Sequence, residues 1–276
     1  MQHITVERPE GRPWALLLIR KDPVNSFDTA LWTALGDALA ALEADPSVTG
    51  VVIGSGLVRD VFTAGNDLKE LYAPNTSAER YREFWLAQSR ALERLYASRL
   101  ATAAAIRGAC PAGGCGLSLC CDARFMTPNG SMGLNEVALG IPVPKYWASL
   151  MGRAIGHAAA ERLVLSGRMV GAREALSLGL VDKITPDDSQ AAVLAAAGAW
   201  MDAAAALPAA ARAATKGGQR DTFCAEWRRY YEEEEAAFGW RAISDPKAVA
   251  MMAGVLKRLS GKGGGGGGAQ QQRSRM

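Results

Sequence analysis

The amino-acid sequence predicts an α/β core followed by an all-helical C-terminal module. Near the N-terminus, short apolar runs alternate with a helix whose leucines recur three or four residues apart. Residues 108–140 set a small-residue turn between a buried strand and an apolar helical run. From Ser189 to Leu259 the pattern is helical throughout, first alanine-rich and then charged. These observations divide the chain into a core at 1–188, a helical module at 189–259 and a flexible glycine-rich tail at 260–276.

Each element has a local reason. Ile4–Glu7 and Trp14–Ile19 read as strands joined by the turn-rich Arg8-Pro9-Glu10-Gly11, and residues 23–28 supply a loop with a helix cap. Leu31, Leu35, Leu39 and Leu42 then fall at helical spacing until Asp45-Pro46 stops the helix, and Gly50–Ser55 is a short buried strand. The sequence Gly54-Ser55-Gly56 lacks the third glycine of a dinucleotide fingerprint and reads as a turn. Residues 61–71 follow as a small-residue turn between an apolar strand and a helix-like run, a place where backbone amides are accessible. Ser77 caps a long helix reaching about Ser98, with Phe84, Leu92, Leu95 and Tyr96 as packing residues. Ala101–Ile106 is a buried strand entering the central turn.

In that turn, Ala112-Gly113-Gly114 precedes an apolar helical run, so a backbone N–H can approach a ligand with no side chain in the way. Glu136 lies further on in the weakly polar 132–139, where a carboxylate can serve as a base. A loop with Pro142 and Pro144 leads to helices at about 146–155, 157–165 and 172–178, His157 being a structural residue at a helix start. In the C-terminal module, Trp227, Tyr231 and Phe238 predict a buried stripe, and Glu232 to Glu235 a solvated face.

Composition narrows the function classes. With 276 residues, 49% of them hydrophobic, the chain can bury a substantial core. The formal charge of +3 includes Lys262, Arg273 and Arg275 of the acid-free tail, so the remainder is near neutral and carries no nucleic-acid footprint. Cys110, Cys115, Cys120, Cys121 and Cys224 fit no zinc spacing and stand far from His3 and His157; buried free thiols are expected, and no metal. No apolar run has the roughly 18 residues of a membrane span. The N-terminus enters a strand pattern at once, which argues against a signal or transit peptide. Six glycines, Gly263 to Gly268, lead to Ser274-Arg275-Met276, a variation on the Ser-Lys-Leu address; a peroxisomal import receptor is the expected reader, and a mitochondrial location is less favoured.

Two motifs together carry a resemblance. Phe62-Thr63-Ala64-Gly65-Asn66-Asp67-Leu68, taken with Gly108-Ala109-Cys110-Pro111-Ala112-Gly113-Gly114-Cys115 and then Cys121-Asp122-Ala123-Arg124, resembles the crotonase (enoyl-CoA hydratase/isomerase) superfamily from about Ile4 to Pro186. Residues 109–115 and Gly133-Leu134-Asn135-Glu136 are most similar to the mitochondrial-type Δ3,Δ2-enoyl-CoA isomerases. The C-terminal helices match only in type.

The resemblance implies a crotonase-like spiral of β-β-α units, with two roughly perpendicular sheets and a helical C-terminal module that covers the site and makes contacts in a homotrimer or dimer of trimers. It implies an acyl-CoA thioester substrate, coenzyme A being part of that substrate rather than a separate cofactor. The backbone N–H groups of Asn66 and Gly113 become an oxyanion hole, and Glu136 the catalytic carboxylate. Ala64, Gly65, Asn66, Asp67, Leu68, Gly113 and Asn135 become the substrate-binding set, with the 64–68 turn along the pantetheine and adenine and Asn135 beside the acyl chain. Hydratases of the family use two glutamates, and the first falls where this chain has Gly116. One carboxylate suits moving a double bond better than adding water, so the expected reaction converts a 3-enoyl-CoA to a trans-2-enoyl-CoA. A hydratase or hydrolase with a relocated acid, or a non-catalytic acyl-CoA-binding protein, remains open. Asp67 should face a helix start, and Asp122 should pair with Arg124.

Overall fold

The computed structural model describes residues 3–262. Strand β1 (Ile4–Glu7) pairs antiparallel with β2 (Trp14–Ile19), and helix α1 (Thr29–Ala44) crosses to β3 (Gly50–Ser55), which runs parallel to β2. The Asp28 side chain accepts from Leu31 N–H at 2.9 Å and starts α1, whose buried face holds the predicted leucines together with Trp32. The short α2 (Leu68–Leu71) is capped by Asp67 in the same way, its side chain accepting from Lys69 N–H. Ser77 caps α3 (Ala78–Ala97), which packs on α1.

Beyond α3 the chain builds two sheets. Strands β4 (Ala101–Ile106), β5 (Ala109–Pro111), β6 (Ala123–Met126), β7 (Ser131–Gly133), β8 (Val170–Gly171) and β9 (Lys183–Ile184) divide between them. The large sheet has the order β1-β2-β3-β4-β6-β9 and is parallel apart from β1; the small sheet has the order β5-β7-β8. In the chain these strands are connected by α4 (Gly113–Cys120), α5 (Lys145–Ile155), α6 (His157–Ser166) and α7 (Ala172–Leu178). The fold is mixed α/β with a C-terminal helical region, as expected.

The alanine-rich β4 explains how the large sheet is covered on both faces. Ala103 and Ala105 face a cluster with Trp14, Val193, Ala197 and Met201, the last three on α8 (Gln190–Ala205), while Ala104 and Ile106 face the main core. The chain then continues as α9 (Ala209–Tyr230), a π-helical turn at Tyr231–Glu235, α10 (Ala236–Ile243) and α11 (Pro246–Lys262).

Several expectations need correction. No strand precedes the 63–66 turn; a single bridge pairs Val61 with Ala109 instead. The glutamate run is not wholly solvated, since Glu235 is 4% exposed. The expected stripe holds at Trp227 and Tyr231, but Phe238 is 48% exposed because the π turn shifts the helical phase after Tyr231. Arg124 does not pair with Asp122: it reaches Asp182 at 3.7 Å and donates to the carbonyls of Leu180 and Cys121. Asp122 instead binds Lys216 at 2.9 Å and Arg220 at 3.0 Å, tying α9 to the core. The proposed targeting tripeptide lies outside the described residues.

Candidate active site

The site begins where two turns meet back to back. Phe27 N–H donates to Gly65 O at 2.9 Å, and Asp67 N–H donates to Phe27 O at 2.8 Å. In this extended stretch the polar groups of successive residues alternate sides, so the Asn66 N–H faces away from Phe27. On that other side lies the central turn. A Cβ on Gly113 would stand 3.5 Å from Asn66 N, and one on Gly65 would stand 3.6 Å from Gly113 N. Gly65 is required twice over: its φ of 84° disfavours a side chain, and its missing Cβ would lie 3.1 Å from Pro111 O.

Gly113 opens α4, so its N–H has no acceptor within the helix. Ala112 aims it from a backbone of φ 49° and ψ −118°, a region costly for a residue with a Cβ. Two hydrogen bonds hold Ala112 there: its N–H donates to Gly133 O, and its carbonyl accepts from Gly116 N–H. Asn66 is held by its side chain, whose Oδ1 accepts from Trp32 Nε1 at 3.1 Å and whose Nδ2 donates to Gln88 Oε1 at 2.6 Å. Trp32 and Gln88 were not among the predicted site residues. Their signal in sequence is faint, one polar residue on the buried face of α3 and one indole on α1.

Ala64, Asn66, Leu68, Asn135 and Glu136 line one cavity of about 460 Å³. Glu136 stands on a 3-10 turn, Glu136–Leu139, between β7 and α5, and is 4% exposed. Among the described residues neither of its carboxylate oxygens has a hydrogen-bond partner, nor does Asn135 Oδ1. Burial pushes the Glu136 pKa up to about 7, its own backbone N–H offsetting part of the rise. A group with that pKa can take and return a proton near neutrality. Unpartnered buried oxygens beside a cavity point to a ligand that completes them.

The other predicted residues are placed as follows. Gly65 supports the turn, and the Asp67 side chain is occupied at the start of α2 rather than in the cavity. His157 is exposed at the first position of α6. All five cysteines are free and buried; burial pushes the thiols of Cys110 and Cys115 far up, which keeps them unreactive. No group of three or more His, Cys, Asp or Glu able to hold a metal occurs among the described residues. Among those residues no single helix is long and apolar enough to cross a membrane.

Two further residues shape the cavity and were not foreseen. Trp147 packs on Gly116: a Cβ there would meet its ring at 3.0 Å, so a side chain at this position requires the indole to shift. Glu235 is a second buried carboxyl on the same cavity. Its Oε2 accepts from Trp85 Nε1 at 3.0 Å and its Oε1 has no partner among the described residues. Burial raises its pKa to about 7, with the Trp85 bond and the Lys145 charge opposing.

Known proteins agree with this architecture. Residues 15–239 match the enoyl-CoA hydratase/isomerase family, and the chain belongs to it as an enzyme with the crotonase fold. Among its relatives, the human protein "Enoyl-CoA delta isomerase 1, mitochondrial" is 38% identical over 222 residues, 79% of this chain and 71% of that one. A "Putative enoyl-CoA hydratase" of Thermus thermophilus is 39% identical over 184 residues, 66% of this chain and 71% of that one. A crystal structure of human mitochondrial Δ3-Δ2-enoyl-CoA isomerase superposes with a TM-score of 0.89 at 34% identity, covering 95% of this chain and all of that one.

Proposed function

We propose that the protein is an isomerase that converts 3-enoyl-CoA, cis or trans, to trans-2-enoyl-CoA in the β-oxidation of unsaturated fatty acids. The observation that carries this reading is Glu136, both of whose carboxylate oxygens are unpartnered among the described residues, sharing a cavity with the Asn66 turn while Trp147 crowds the position at Gly116. The thioester oxygen lies between the N–H groups of Asn66 and Gly113. As the C2–H bond breaks, its electron pair forms the C1–C2 double bond and the carbonyl pair moves onto oxygen, where two fixed donors stabilise it by about 3 kcal/mol each. Glu136 takes the C2 proton and returns it to C4, C2=C3 forms, and the carbonyl is restored. No water, oxidant or metal enters the balance.

Asn135 stands beside the acyl chain, and residues 64–68 follow the pantetheine; coenzyme A belongs to the substrate. The same resemblance suggests a homotrimer or a dimer of trimers, which sedimentation measures directly. Ser274, Arg275 and Met276 are read as an import address for the peroxisome, although the mammalian relatives are named mitochondrial. Deleting those three residues from a fluorescent fusion tests it, and unchanged punctate localisation counts against it.

A second reading, hydration of a 2-enoyl-CoA, is favoured by one observation, the second carboxyl at Glu235. An absorbance assay on matched 3-enoyl and 2-enoyl thioesters separates the two. Isomerisation gains conjugated-thioester absorbance from the 3-enoyl substrate, leaves the 2-enoyl substrate unhydrated and vanishes in Glu136→Gln. Loss of the 2-enoyl substrate to water overturns the one-carboxylate mechanism.

A further inference from the structure

The cavity does not end in a purely apolar wall. At Glu235 the π turn brings one carboxyl inward from a run whose other members, Glu232, Glu233 and Glu234, are exposed. Its Oε1 accepts no hydrogen bond from the described residues, although the group is 4% exposed and lines the cavity. Tyr81 lines the same cavity and is 1% exposed. Gly239 leaves the space that its hydroxyl occupies, since a Cβ there would collide with the Tyr81 oxygen. Around these two polar groups the wall includes Leu71, Trp85, Phe238, Ala242 and Ile243, and Lys145 lines the same cavity close enough for its charge to act on Glu235.

An unpaired carboxyl oxygen and a phenol hydroxyl on one cavity wall match a group that gives one hydrogen bond and takes one. A plain hydrocarbon tail leaves the carboxyl oxygen unmatched. Gly116 is one turn into α4 from Gly113, Trp147 packs on Gly116, and Trp85 stacks on Trp147 with ring centroids 6.4 Å apart. Glu235 is bonded to the edge of this stack, at the indole N–H of Trp85.

We propose that Glu235 and Tyr81 form a polar subsite of the acyl cavity that binds a hydroxyl group carried on the acyl chain, so that the preferred substrates include hydroxylated enoyl thioesters. Glu235 Oε1 accepts from the hydroxyl and the Tyr81 O–H donates to it. This assignment rests on the reading of the cavity as an acyl-CoA site.

The test uses trans-3-enoyl-CoA thioesters of one chain length, unsubstituted or carrying a hydroxyl moved outward from C5 one carbon at a time. The quantity read is the ratio of kcat/KM, hydroxylated over unsubstituted, within each protein, so that a general loss of activity cancels. At one or two adjacent positions the wild-type ratio is expected to reach about ten, the effect of one hydrogen bond to a charged acceptor. In Glu235→Leu and Tyr81→Phe it falls to one or below. Glu235→Gln keeps an oxygen for Trp85 and provides a folded variant with a weakened ratio if the leucine variant does not fold. A wild-type ratio of one or less at every position overturns the proposal, as does a ratio that survives in both variants. Hydration of a 2-enoyl thioester that is lost in Glu235→Gln also overturns it, by making Glu235 a reacting acid. If the unsubstituted thioester is bound but not isomerised, the isomerase reading fails on its own, and calorimetric affinities for the same series supply the ratio that decides the subsite.

Discussion

Trp147 occupies the space that a side chain at Gly116 would need, three of its ring atoms lying 3.0 to 3.3 Å from where a Cβ would be. The indole is 2% exposed and stacked against Trp85, so it has little room to retreat. Gly116→Ala is therefore expected to destabilise the protein by about 1–3 kcal/mol through overpacking, measured by denaturant titration. For the same reason Gly116→Glu should confer no hydration of 2-enoyl thioesters.

Gly113→Ala brings a methyl group to 2.7 Å from Asn66 Oδ1, an atom fixed by Trp32. The turn that presents the Asn66 amide must move. We expect kcat to fall about a hundredfold, the usual effect of losing one oxyanion donor, with a smaller change in KM in steady-state assays.

Gln88→Leu removes the acceptor for Asn66 Nδ2 inside the core. An unsatisfied buried amide costs about 1–3 kcal/mol of stability. Thermal unfolding should show that loss, and a fall in kcat larger than the rise in KM would mark Gln88 as a positioning residue for the amide rather than a packing residue alone.

The raised pKa of Glu136 carries a sign that can be checked. Its folded value of about 7 exceeds its ordinary value of 4.5, so between those pH values the native state holds more protons than the unfolded state. Its contribution is favourable at low pH and is lost as pH rises through this window, amounting to about 3 kcal/mol. Glu136→Gln is expected to match the wild type near pH 4 and to exceed it in stability by roughly that amount near pH 8. In the wild type, kcat/KM for isomerisation should rise with pH to a plateau, with a midpoint near 7 for the deprotonated base.

Asp122→Ala should be among the most damaging changes outside the cavity. Lys216 is buried, and Asp122 is its carboxylate partner as well as that of Arg220 and of Thr102 N–H. Stranding a buried cation costs about 3–5 kcal/mol, which chemical denaturation measures.

What the sequence revealed followed from what its patterns encode. Caps and periodicity marked α1, α3 and β4 because Asp28, Ser77 and the alanine run act within a few residues of themselves. The two turns were visible because glycine is needed where backbones abut, at Gly65 and Gly113. Strands of two or three residues, such as β7 and β8, were invisible because their pairing partners are distant and their hydrophobic pattern is too short to show a period. Glu235 was misread for a physical reason: one π turn rotates the residues after Tyr231, so the face that enters the cavity cannot be found by counting in steps of an α-helix. Trp147 is linked to Gly116 only through space, and Arg124 chose Asp182 over its near neighbour because β6 and β9 lie side by side.

The amide N–H of Asn66 belongs to the main chain, which every residue but proline supplies, and its direction is imposed by the chain's passage beside Phe27. Any substitution at position 66 other than proline can tilt that donor but cannot delete it. On the proposed mechanism, side chains around the cavity are therefore free to diverge while this donor is kept, and a new reaction in this scaffold requires relocating an acid, not rebuilding the backbone turn.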